Sequence, residues 1–147
     1  MSASLWALLL AGLSGAAMAV QGSWNAILGK VIGLLPATLL VHVIGSLGVL
    51  GILVFRWDSS SWNKLGEAPW FSFLGGLLGV LIVYGVAASI PKVGVANATT
   101  AIIAAQITMA VVIDHFGLFG LKAIPFSCWK ALGMALLVTG TRLMLIR

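Results

Sequence analysis

Charge is what this sequence has least of: 7% of its 147 residues are charged, eight Lys or Arg against three Asp or Glu. A soluble domain covers its surface with about 25% charged residues. A chain that is 61% hydrophobic, with a mean hydropathy of +1.17, cannot do this. Free folding in water is excluded, because the surface would be one continuous apolar patch. The single cysteine, Cys128, excludes a disulfide framework within the chain, and no Cys/His cluster has metal-ligand spacing. The net charge of +5 invites a nucleic-acid reading, yet the basic residues stand singly between apolar runs. A nucleic-acid surface needs them gathered on one face. Neither metal, cofactor nor nucleic acid is expected.

What is present is apolar sequence in span-sized pieces. A transmembrane helix needs about 20 mostly apolar residues. Five runs meet that need, at approximately 5–28, 36–55, 70–90, 93–113 and 125–146, with one polar loop at 56–69. The expected fold is therefore all-α, one transmembrane domain of five helices over residues 1–147. Pro36 suits a first helical turn, and Phe116 to Ile124 reads as an amphipathic connection punctuated by glycine. Trp6, Trp24, Trp57, Trp62, Trp70 and Trp129 lie near proposed helix ends or in the loop, as an interfacial belt requires. Ala17-Met18-Ala19 resembles a signal-peptidase site, but a secretory signal starts with positive charge. No Lys or Arg precedes Lys30, so the first run is read as a span.

The charge balance gives no orientation. With a cytoplasmic N-terminus, Arg56, Lys64, Lys122 and Lys130 fall inside and Lys30, Lys92, Arg142 and Arg147 outside, four against four. Loop Lys/Arg bias normally sets topology. Two explanations stand: a weak bias decided by local detail, or a chain that inserts both ways and pairs with its own inverted copy. Inverted pairing is the architecture on which alternating access is built.

Polar groups inside spans are costly and need a reason. Gln21 and Asn25 share one face near the end of the first span, and His42 and Ser46 form the same i, i+4 pair in the second. Tyr84 lies late in the third, Asn97 early in the fourth, and Gln106 near its centre. For Ser46, Thr99, Thr100 and Thr108, bonding to the helix backbone is sufficient explanation. An amide offers donors and an acceptor that its own helix cannot satisfy. Gln21, Asn25 and Gln106 are thus read either as interhelical glue or as a cavity lining. His42 is the one titratable side chain well inside a span; a locally bonded neutral ring and a proton or solute role both remain open. Small residues recur at packing spacing: Ala11, Gly15 and Ala19; Gly45, Gly48 and Gly51; Gly75 and Gly79. Asp114 reads as an exposed helix end or a partner of Lys122. No nucleophile, base and acid converge, no carboxylate pair occurs, and no Asp or Glu lies deep in a span. Catalysis is not expected.

Several stretches together resemble the YdcZ family of small five-span membrane proteins within the drug/metabolite transporter (DMT) superfamily. They are Gln21-Gly22-Ser23-Trp24-Asn25-Ala26, Pro69-Trp70, Gly75-Gly76-Leu77-Leu78-Gly79-Val80, and Gln106 followed by Asp114-His115-Phe116-Gly117-Leu118-Phe119-Gly120. The resemblance covers essentially the whole chain. It implies half of a DMT-type inverted-repeat transporter, working as a homodimer in the inner membrane. Because short relatives are often dual-topology, it favours an antiparallel pair. On this reading the substrate lining is Gln21, Trp24, Asn25, His42, Tyr84, Asn97 and Gln106. Gly15, Gly75 and Gly79 are packing positions, and Asp114, His115 and Gly117 form a structural turn. The four-span multidrug members of the superfamily depend on a first-helix glutamate, which this chain lacks, so their cation-export mechanism does not carry over.

Overall fold

The computed structural model describes residues 3–56 and 62–146; the expectations on Trp57 and Arg147 lie outside the described residues. Five helices are long and apolar enough to cross a membrane. They are α1 (Ala3–Ile32), α2 (Leu34–Phe55), α3 (Gly75–Val93), α4 (Val95–Phe116) and α5 (Cys128–Leu145). Short 3-10 turns cover Leu65–Glu67, Trp70–Leu74 and Leu118–Gly120, and no strand occurs among the described residues. The helices gather into two units, one through Lys92 and the other from Val93.

Helix ends depart from the hydropathy runs for identifiable reasons. The first span continues past 28 to Ile32, and the break falls at Gly33, whose φ of 90° and ψ of 153° are a conformation open in practice to glycine alone. Thirty residues at about 1.5 Å each exceed a hydrocarbon core of about 30 Å, so α1 tilts or projects beyond the bilayer. Trp24 accordingly sits within α1, eight residues before its end, rather than at its close. Pro36 takes the third helical position of α2, where its missing N–H is one of the unpaired first-turn donors. Gly94, φ 86° and ψ 161°, repeats the Gly33 geometry ahead of α4. Helix α3 runs through Pro91 to Val93 instead of ending there, which deprives the Ala87 carbonyl of its usual helical donor.

The last span starts at Cys128 rather than Pro125. Proline biases the residue before it away from helix, and Ser127 then caps α5, its hydroxyl accepting the Lys130 N–H at 3.3 Å. Lys30, Lys92 and Arg142 occupy last turns, where cations complement the helix dipole.

Small residues, not large ones, are buried: Ala26, Ala37, Ala87 and Ala98, with Asn25, Thr38 and Ile90. Leucine, isoleucine and phenylalanine cover the outside. This suits spans in lipid, where apolar surface gains little by leaving the acyl chains and helices associate by close approach. In the first unit, α1 approaches α3 so closely at Gly22 that a Cβ there would lie 2.7 Å from Val86 Cγ1.

Candidate functional site

The first unit contains a groove of about 560 Å³. Gln21 comes to it from α1, His42, Gly45 and Ser46 from α2, and Val83 from α3; Val49, Leu50 and Leu53 complete an apolar wall. Helical geometry explains the convergence, since His42 and Ser46 are one turn apart on one face.

His42 is fixed by its backbone. Its Nδ1 lies 2.7 Å from the Thr38 carbonyl oxygen, which can only accept, so Nδ1 carries the hydrogen. Thr38 is buried, and its own hydroxyl donates to the Leu34 carbonyl at 2.8 Å. The other ring nitrogen, Nε2, faces Gly79 on α3, where an added Cβ would stand 3.6 Å away in ordinary contact.

Six hydroxyls elsewhere are spent on their own helices: Ser14, Ser23, Ser89, Thr100, Thr108 and Thr139 each donate to a carbonyl three or four residues earlier, at 2.8–3.0 Å. Thr100 and Thr108 thus behave as expected. Ser46 and Thr99 do not form the backbone bond expected of them. The Ser46 hydroxyl and the Gln21 amide make no hydrogen bond among the described residues, and both residues line the groove. Sequence reasoning left Ser46 out of the site. Its i, i+4 spacing from His42 was the available signal.

Asn25, one turn beyond Gln21, is 6% exposed and likewise has no hydrogen-bond partner among the described residues. It is buried beside Gly22 and Ala26 and does not line the groove. Trp24 is 69% exposed on the outer face of α1, and Tyr84 is marginally exposed next to Val83. Gly15 and Gly75 have no neighbour within 4 Å.

In the second unit Asn97 is half-buried and Gln106 exposed, and neither lines a cavity there. An apolar groove of about 360 Å³ is lined by Thr108, Val111, Val112, His115, Phe116, Phe126 and Met134. The turn after α4 is built on Asp114: its carbonyl accepts the Ile124 N–H at 2.7 Å and the Gly117 N–H at 3.4 Å. Gly117 ends the helix in the left-handed region at φ 58°. The His115 ring meets Phe116 and Phe126 edge-on, with centroids 4.9 and 6.4 Å apart. The Asp114 carboxylate pairs with Lys130 at 3.8 Å, not with Lys122. The first turn of α5 brings Lys130 back to the end of α4, whereas Lys122 lies in the connection.

Five helices long and apolar enough to cross a membrane define a multi-pass membrane protein, and polar side chains of α1 and α2 line a groove in its first unit. The chain matches, over residues 6–143, the family described as "Putative inner membrane exporter, YdcZ", and it belongs to that family. It is thus a multi-pass inner-membrane protein and a transporter by class rather than an enzyme. No curated protein and no solved structure matches it.

Proposed function

We propose that the protein is an exporter protomer that moves a small solute by alternating access, as an antiparallel homodimer of dual-topology chains. The observation that carries this reading is the groove of the first unit, where Gln21 and Ser46 have unspent hydrogen-bonding capacity and share the lining with His42 and an apolar wall. Polar groups are retained in a span at a cost, and a bound solute is what would use them. The even division of basic residues, which leaves orientation undetermined, supports the antiparallel pair. The resemblance to the DMT superfamily supports both. Asn25, Tyr84 and Trp24 in the first unit, and Asn97 and Gln106 in the second, lie outside that groove and are proposed as further solute contacts, and Gly15, Gly75 and Gly79 are proposed packing positions between helices or copies.

The test is counterflow in liposomes with neutral amphiphiles bearing N–H or O–H donors: N-acetyl-leucinamide, uridine and phenyl glucoside. Saturable counterflow that Gln21→Leu or Gln106→Leu abolishes, with expression and self-association unchanged, is the expected result. Flux that neither saturates nor shows counterflow would make the protein a passive pore. No flux, together with a stable complex with another membrane protein, would make it an accessory subunit.

A further inference from the structure

We propose that His42 is the proton carrier of this transporter: its Nε2 holds either a proton or a hydrogen-bond donor of the solute, never both, and export is driven by that exclusion. The proposal rests on the export reading above and adds to it a coupling ion and a solute class, a neutral amphiphile with an N–H or O–H donor.

The geometry singles out one atom. Nδ1 keeps its hydrogen in either protonation state, because the Thr38 carbonyl 2.7 Å away must be donated to. Proton gain and loss therefore fall on Nε2. That nitrogen points to Gly79 on α3, where even a Cβ would make only ordinary contact at 3.6 Å, and the His42 ring lines the groove with Gln21 and Ser46. Among the described residues of the first unit, no other ionisable side chain lines the groove. Helix α1 offers Lys30, which lines a separate recess with Ala26 and Pro91. Helix α3 offers Tyr84 and Lys92, neither of which lines the groove, and α2 has no second titratable residue. Among the groove-lining residues described, His42 is the one with an ionisable side chain. Imidazole is also the side chain whose ordinary charge change falls between about pH 5 and 8.

The solute class follows from the same inventory. Among the described residues no carboxylate lines the groove, so a permanent cation would find no countercharge there. A neutral molecule can donate to the Nε2 lone pair, use the Gln21 amide and Ser46 hydroxyl, and lay its apolar part on Val49, Leu50 and Leu53.

The cycle balances without electron transfer. The neutral ring accepts a hydrogen bond from the solute. On the acidic side a proton from water forms the Nε2–H bond, the lone pair is consumed, and the solute is released. On the other side the proton returns to water and the lone pair is restored. One proton enters for each solute that leaves. Because both ligands use one lone pair, each weakens the other's binding by the same factor.

Two measurements test this. In the intact protein in lipid nanodiscs, ¹⁵N-histidine NMR between pH 5 and 9, with His42→Asn to assign the ring, should show Nδ1 protonated throughout and Nε2 gaining and losing its proton. A neutral ring with hydrogen on Nε2, or no titration, overturns the proposal. In proteoliposomes with an acidic lumen, the three neutral solutes named above should be accumulated relative to protein-free vesicles. With one proton per solute, one pH unit supports about tenfold accumulation. In His42→Asn, accumulation should fall to the equilibrium ratio of one. A His42→Asn protein that still accumulates solute overturns the coupling role alone. Absence of saturable flux through the unmodified protein, with Nε2 titrating as stated, overturns the export reading and the coupling role with it.

Discussion

Gly22 and Val86 are in such close apposition that a methyl group on Gly22 would stand 2.7 Å from Val86 Cγ1 and 3.1 Å from Ile90 Cδ1. The Ile90 terminus can rotate away, but a β-branched valine on a helix has one strongly preferred rotamer. Gly22→Ala must therefore push α1 from α3. It should cost about 1–3 kcal/mol, as overpacking does, and be partly rescued by Val86→Ala. Gly15→Ala, on the same helix with open space around it, should be neutral or stabilising by up to about 1 kcal/mol. Thermal melting in detergent compares them; equal melting of Gly22→Ala and the parent would sink the close-packing account.

Thr141 Oγ1 is buried without a hydrogen-bond partner among the described residues. Leaving a polar group in that condition costs about 1–3 kcal/mol. Replacing Thr141 by valine, of nearly the same shape, should raise the melting temperature. A lower melting temperature would show that the side chain has a partner, from a second copy or from water.

The turn after α4 admits no side chain at position 117. A Cβ there would lie 2.9 Å from the Leu121 carbonyl oxygen, in a left-handed conformation that is itself costly for other residues. Gly117→Ala should destabilise by about 1–3 kcal/mol and speed tryptic cleavage at Lys122. Gly120→Ala has positive φ but open space, so it should do less. Equal cleavage rates for the two variants would refute the steric part.

Asp114→Asn should change stability by less than about 1 kcal/mol, since its 3.8 Å pair with Lys130 is partly exposed and exposed pairs are weak. The backbone bonds that Asp114 accepts from Ile124 and Gly117 survive the change. A larger loss that persists at high salt would mean that the pair is better shielded than its exposure implies.

Topology can be read from a C-terminal reporter active on only one side of the membrane, repeated with one Lys added between residues 57 and 68. Signal on both sides, moving to one side with the added charge, is the expected outcome. A one-sided signal unmoved by that charge would rule out the antiparallel pair.

The five spans were legible because hydropathy over a 20-residue window is set by composition alone. Their ends were not, because single residues decide them. Gly33, with its positive φ, rather than the run's weakening at Leu28, ends the first helix. Ser127, with a hydroxyl able to cap, rather than Pro125, starts the last. The site was legible as residue types: Gln21 and His42 stood out as polar groups in spans, and the structure brings them to one groove. Ser46 was missed because a serine in a helix usually bonds its own backbone, and only the tertiary structure tells which ones do not. The tightest glycine, Gly22, lay outside the small-residue stripes, since spacing gives a face but not the neighbour that meets it.

The single-residue joints at Gly33 and Gly94 offer no loop for an inserted tag or an antibody fragment to grasp. By sequence, the polar loop at 56–69 and the connection after the fourth apolar run each follow an even-numbered span, so both are expected on the same side of the membrane. A rigid binder raised against either connection therefore marks one face of the protomer. On an antiparallel pair two such binders would project from both faces of the particle, and on a parallel pair from one. The imaging aid that makes so small a membrane protein visible would thus also report how its copies are arranged.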